Sequence, residues 1–157
     1  MLGDKAAREE AIVLDTARGR RFGVLCEPAR TAGPDDAWVV FLNAARVGRA
    51  GPNRLWTTYA RAWARAGLPS LRLDTWGSGD SDGNRLLDEV PACMRTQFYA
   101  SGIGEDIAGA FAWLADHRHA RRFALVGLCS GGYWAFHTAL ADARVAGIAL
   151  VNLRRLY

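Results

Sequence analysis

The hydrophobic positions of this chain form short apolar runs separated by polar or glycine-containing segments. Two runs, at residues 10–14 and 21–26, flank a turn that contains Gly19 and predict a β-hairpin. The next run, at 37–42, is apolar throughout, which is typical of a strand buried on both faces of a sheet. Further strands are predicted at 70–73, 122–126 and 145–151.

Helical spacing of apolar residues appears between these strands. Residues 51–53 open a first helix that carries an apolar stripe and ends at Gly67. Two more helices are predicted at 105–116 and 131–140, and a long polar loop at 75–103 precedes the second helix. Alternating helices and strands after a hairpin predict an α/β fold in one domain, with a mostly parallel sheet and helices on both faces.

Composition and charge narrow the class of protein. Half of the 157 residues are hydrophobic and 23% are charged, which is the balance of a globular domain. The net charge of +4 comes almost wholly from scattered arginines, and without a basic run or a stacking motif we expect no nucleic-acid partner. Neither a membrane span nor a signal peptide is predicted, so a cytoplasmic protein is expected.

The three cysteines suggest a candidate nucleophile and not a metal site. Cys26, Cys93 and Cys129 lie far apart and form no CxxC motif or Cys/His cluster, so neither a metal site nor a disulfide framework is predicted. No cofactor motif accompanies them. A single cysteine in a special position is a candidate for covalent catalysis, and Cys129 has such a position.

Cys129 stands in a strand–turn–helix segment, Gly127-Leu128-Cys129-Ser130-Gly131. In a nucleophile elbow, small residues are needed two places before and two places after the nucleophile, because the backbones of the strand and the helix come close there. Gly127 and Gly131 meet this need for Cys129, whereas a Ser130 nucleophile would place Leu128 in the cramped position. We therefore favour Cys129, with Ser130 as the alternative. The helix N-terminus favours the reactive thiolate form of a cysteine.

A second motif precedes the elbow along the chain. The segment Asp74-Thr75-Trp76-Gly77-Ser78-Gly79-Asp80-Ser81 follows a predicted strand and is similar to the D-x-x-G-x-G-x-S loop of many α/β-hydrolases. With the elbow, it makes the chain resemble the N-terminal part of that superfamily from about Glu10 to Asn152. The cysteine elbow is similar to that of dienelactone-hydrolase-like members. The layout of the earlier elements is nearer to serine-aminopeptidase-like or monoglyceride-lipase-like hydrolases.

This resemblance implies an acyl hydrolase or acyltransferase that acts on an ester, a thioester or a related small-molecule acyl substrate through a covalent acyl-enzyme. The oxyanion hole would use the backbone N–H groups of Ser130 and Ala44. Asn43 and Trp76 are candidate pocket residues, although Trp76 is equally compatible with packing. Here Asn43-Ala44 replaces the His-Gly common in the family.

The chain departs from the family in its histidines and acids. The family's catalytic acid and histidine follow later strands, whereas this chain ends after its sixth predicted strand. His117 and His119 are expected at the far end of the sheet from Cys129, and His137 is about 12 Å along a helix at 1.5 Å per residue. We therefore expect a truncated domain that is inactive alone.

Alternatives to a hydrolase stay open. An apolar last strand at 145–151 would be an exposed sheet edge, and a non-catalytic interaction module could pair this edge with another chain. A nucleotide-binding domain is weaker, because Asp82 stands where the third glycine of a dinucleotide fingerprint belongs. Three arginines after the oxyanion loop either hold an anionic substrate or face solvent; they are Arg46, Arg49 and Arg54.

Overall fold

The computed structural model describes residues 7–83 and 102–153. Within them the chain forms six strands and three α-helices, and a single 3-10 turn, Pro52–Arg54, leads into the first helix. The elements in chain order are β1 (Arg8–Thr16), β2 (Gly19–Glu27), β3 (Ala37–Leu42), α1 (Leu55–Arg65), β4 (Ser70–Leu73), α2 (Gly102–Arg118), β5 (Arg122–Leu128), α3 (Ser130–Ala141) and β6 (Val145–Val151).

The strands make one mixed sheet in the order β1-β2-β4-β3-β5-β6. The hairpin β1–β2 is antiparallel and joins β4 in antiparallel register, with Gly23 opposite Leu73. From β4 onward all neighbours are parallel, because helical crossovers connect them. The predicted α/β class is confirmed, with its N-terminal hairpin and mostly parallel sheet. The carboxyl ends of the parallel strands share one edge, where ligands bind in such sheets.

Alternation along β3 divides the core into two layers. Trp38 and Val40 face the layer that contains α2 and α3, whereas Val39 and Phe41 face α1. All four are at most 5% exposed. Since each face of the sheet is apolar and covered by helix, helices on both faces are confirmed.

The strand β6 is the outer strand of this sheet on the β5 side. Its apolar residues are only partly covered: Ile148 is 38% exposed and Val151 is 41% exposed. Among the described residues, no further strand pairs with its outer edge. None of the described helices combines the length and apolar character that a bilayer crossing requires.

The predicted loop 75–103 is described as far as Gly83 and again from Gly102. Helix α2 begins at Gly102, three residues before the predicted start at 105. Cys93 lies outside the described residues.

Candidate active site

Cys129 occupies a strained turn between β5 and α3. Its backbone angles are φ 53° and ψ −112°, a region that residues with a side chain rarely adopt. Two glycines make the turn possible. A Cβ on Gly127 would lie 2.3 Å from the carbonyl oxygen of Gly131, and a Cβ on Gly131 would lie 2.5 Å from the carbonyl oxygen of Leu42. The strand–turn–helix geometry is that of a nucleophile elbow.

Backbone hydrogen bonds hold the elbow from both sides. The amide of Cys129 donates to the carbonyl of Val151 at 2.9 Å, which ties the turn to β6. The carbonyl of Cys129 accepts from the amides of Gly132 at 3.0 Å and Tyr133 at 3.3 Å, which starts α3. The Cys129 side chain is partly exposed, whereas Cys26 is fully buried. Burial raises the pKa of the Cys26 thiol.

Ser130 has a different environment from Cys129. Its residue is 6% exposed, and its Oγ accepts a hydrogen bond from the amide of Ala45 at 2.7 Å. This bond joins the first residue of α3 to the loop that follows β3. The Ser130 oxygen is therefore held in an internal contact, although the residue directly follows the turn.

The loop after β3 carries the predicted oxyanion and pocket residues Ala44 and Asn43. The side-chain amide of Asn43 donates to the carbonyl of Gly48 at 2.8 Å, and its Oδ1 is buried without a partner among the described residues. The carbonyl of Ala44 accepts from Val47. The next residue, Ala45, has a positive φ of 46°. Its amide donates the hydrogen bond to Ser130 Oγ that is described above. The sequence placed the second oxyanion donor near Asn43-Ala44-Ala45, and Ala44 was selected from these three.

The loop after β4 is anchored through Asp74, which is 1% exposed. Its carboxylate accepts from the amide of Arg49 and from the Arg49 guanidinium, both at 2.5 Å, and from the amide of Asp80 at 3.1 Å. A Cβ on Gly79 would lie 2.1 Å from the same carboxylate. The Asp74 carboxylate thus holds together the loops that follow β3 and β4 through its hydrogen bonds to Arg49 and Asp80.

The same loop is closed on itself and on the hairpin. The amide of Gly77 donates to the carbonyl of Asp82, and the amide of Ser78 donates to the carbonyl of Thr75, both at 3.0 Å. The Asp82 carboxylate accepts from the amide of Arg20 at 2.8 Å, which lowers its pKa. Because these amides are used internally, the loop lends no support to a phosphate-binding alternative.

Trp76 lies in this loop beside the start of α2. The guanidinium of Arg18 stacks on its ring at 4.8 Å, and its amide donates to Asp106 at 2.7 Å. Asp106 also accepts from Arg21 at 2.7 Å, and both side chains are at most 1% exposed. Burial raises the pKa of Asp106, and the Trp76 amide and Arg21 oppose that rise. Trp76 is therefore held by the hairpin and α2.

None of the three histidines has a described contact with Cys129. His117 Nδ1 lies 2.9 Å from the carbonyl oxygen of Trp113, and His119 lies three residues before β5, at the opposite end of that strand from Cys129. The His137 ring packs on Tyr133 at 4.2 Å between ring centroids. No group of three His, Cys, Asp or Glu residues within 7–83 and 102–153 could hold a metal ion.

Several solved structures of similar shape are named as hydrolases or esterases. An α/β hydrolase from a Penicillium species aligns with a TM-score of 0.69 at 20% identity, over 91% of this chain and 45% of its own. A cold-adapted esterase from an Arctic intertidal metagenomic library aligns with a TM-score of 0.73 at 19% identity, over 94% and 63%. A dienelactone hydrolase from Anabaena variabilis aligns with a TM-score of 0.67 at 20% identity, over 92% and 63%.

These likenesses concern the fold. The chain spans 45% to 63% of the length of those three proteins. No protein-family model and no curated protein matches its sequence. The described residues form the N-terminal part of an α/β-hydrolase fold.

Proposed function

We propose that this α/β-hydrolase fold carries cysteine-based acyl chemistry, with Cys129 as the nucleophile of an acyl hydrolase or acyltransferase. The observation that carries the proposal is the strained Cys129 backbone at φ 53°, enclosed by two glycines that have no room for a Cβ. Strain of this kind persists where the surrounding structure enforces it, and it is common at catalytic sites.

The contacts of Ser130 support Cys129 over the neighbouring serine. The Ser130 oxygen is buried and accepts the Ala45 amide, whereas Cys129 is partly exposed at the turn. The backbone N–H of Ser130 is the first oxyanion donor in this proposal. The second is the backbone N–H of Ala44 in the loop after β3, because the neighbouring amide of Ala45 already donates to Ser130 Oγ.

The proposed reaction has two covalent steps. The thiol of Cys129 loses its proton to solvent, and the sulfur attacks the carbonyl carbon of an ester or thioester, whose π electrons move to the oxygen held by backbone N–H groups. The carbonyl re-forms, and the leaving alkoxide or thiolate departs and takes up a proton. Water or an alcohol then attacks the thioester, releasing the acid or the new ester and restoring the thiol.

Acylation is the step that tests this chain directly, because none of the described histidines contacts the elbow. We expect S-phenyl thioacetate to add one acetyl group per chain, on Cys129, as measured by intact mass and peptide mapping. Cys129→Ala should lose the label and Cys26→Ala should keep it. Equal labelling of Cys129→Ala, or labelling spread over several sites, would contradict the proposal.

A non-catalytic interaction module is the second candidate. It is favoured by β6, whose outer edge has no partner strand among the described residues and whose Ile148 and Val151 are 38% and 41% exposed. Such an edge offers unpaired backbone groups to another chain. If it pairs, light scattering should show an assembly larger than one chain, and Ile148→Lys should return it to a monomer. A monomer at all concentrations would argue against this candidate.

A further inference from the structure

An arginine-lined pocket lies beside α1, on the face of the sheet opposite α2. Its volume is about 460 Å³, and its wall contains four arginines: Arg49, Arg54, Arg61 and Arg72. Among the described residues that line it, none is acidic. A concave surface lined by one sign of charge concentrates ligands of the opposite sign.

The most buried of these arginines, Arg72, is only partly satisfied. Its side chain is 6% exposed. One Nη donates to Thr57 Oγ1 at 2.5 Å, the other contacts Glu9, and its Nε is buried without a partner in the described part of the chain. Burial lowers the pKa of Arg72. A buried N–H without an acceptor is costly, and Arg72 also lines the pocket.

The single carboxylate of Glu9 does not neutralise the positive charge of the pocket. Glu9 alone contacts both Arg61 and Arg72, so two guanidinium groups share one negative charge. Arg54 is exposed and has no ion pair among the described residues. These three arginines and Glu9 together carry an excess of two positive charges. Arg49 is different, because its guanidinium already pairs with Asp74 and Asp80.

We propose that this pocket binds an oxyanion, the phosphate or carboxylate group of a small ligand, between Arg54, Arg61 and Arg72. Guanidinium groups present paired N–H donors that match the oxygens of such anions. Arg54 immediately precedes α1, Arg61 lies about two turns further along the helix, and Arg72 lies on β4. The ligand therefore meets donors from two elements. The proposal is independent of Cys129, which is not among the lining residues.

Calorimetric titration of the whole chain at low salt tests the proposal, with inorganic phosphate in one arm and acetate in the other. We expect one binding site per chain for at least one of these anions. Binding of phosphate alone assigns a phosphate group, and binding of acetate alone assigns a carboxylate. If neither anion binds, the proposal is overturned.

Two variants locate the site. Arg54→Gln should weaken binding at least tenfold, because it removes an exposed guanidinium that has no structural ion pair. Arg65→Gln is the matched control, since Arg65 is an exposed arginine at the end of the same helix and lies outside the pocket wall. It should leave the affinity unchanged. Equal weakening by both variants would indicate a diffuse charge effect and overturn the pocket. Unchanged affinity in Arg54→Gln would do the same.

Discussion

The amide of Ala45 donates to the Oγ of Ser130 at 2.7 Å, which joins the loop after β3 to the first residue of α3. The two residues are 85 positions apart in the chain. This contact fixes the distance between the candidate nucleophile's turn and the loop that faces it.

Removing the Ser130 hydroxyl should loosen that loop. In Ser130→Ala the Ala45 amide loses its acceptor, and we expect a loss of about 1–3 kcal/mol in the free energy of unfolding. Amide hydrogen exchange at Ala45 should become faster. Ser130→Thr keeps a hydroxyl and should keep most of the protection. Unchanged exchange in Ser130→Ala would show that the contact does not hold the loop.

Adding a methyl group inside the elbow should be severely destabilising. In Gly127→Ala the new Cβ would meet backbone atoms of Gly131 at 2.3 Å, and backbone cannot move aside as a flexible side chain can. We expect a loss of at least about 3 kcal/mol, measured by urea unfolding. Gly147→Ala is the control in the neighbouring strand, because nothing lies within 4 Å of its Cβ. Similar losses for both variants would rule out the steric explanation.

The buried pair of Arg21 and Asp106 should be sensitive to the loss of one partner. Asp106→Asn leaves the Arg21 charge buried at 0% exposure without a counter-charge. We expect a loss of about 3–5 kcal/mol in urea unfolding. The double variant Arg21→Met with Asp106→Leu removes both charges and should be less destabilised than the single variant. A double variant that is worse than Asp106→Asn would mean that the pair itself is strongly stabilising.

The ion pair in the turn between α3 and β6 should make a pH-dependent contribution to the free energy of unfolding. The Arg144 guanidinium lowers the pKa of Asp142, so the folded state holds the ionised carboxylate more readily than the unfolded chain does. Its stabilisation is complete above the ordinary Asp pKa of about 3.9 and is lost as the pH falls through the lower folded value. Asp142→Asn should cost about 0.2–1 kcal/mol at pH 7, and this cost should shrink as the pH falls through the folded pKa of Asp142. Thermal unfolding across this range measures the difference, and a constant difference would contradict the linkage.

Patterns that depend on neighbouring positions in the chain predicted much of the fold. The strand predicted at 70–73 matches β4, because its boundaries are set by Pro69 and Asp74 next to it. The elbow turn was predicted from the spacing of Gly127 and Gly131 for the same reason. The start of α2 was placed three residues late, at Glu105, because its acidic N-terminus was the visible signal and the preceding Gly102 was not.

Contacts between distant positions could not be predicted in this way. Arg49 was a candidate for holding an anionic substrate, but its guanidinium binds Asp74 and Asp80, which are 25 and 31 positions away. Trp76 was expected near the elbow, and its ring stacks on Arg18 of the hairpin turn. Neither contact has a sequence pattern, because each joins side chains from separate loops. The roles of Cys129 and Ala44 remain predictions.

The closure of the loop after β4 makes the following chain segment tolerant of changes in length. Gly83 packs on Gly77, Asp82 bonds to Arg20, and Gly102 lies against Arg18, so the described residues on either side of positions 84–101 are anchored at the same hairpin turn. Lengthening a segment between two fixed, neighbouring anchors costs only about 0.6 kcal/mol for each doubling of its length. We therefore expect that adding residues between positions 83 and 102 leaves the sheet and the elbow intact.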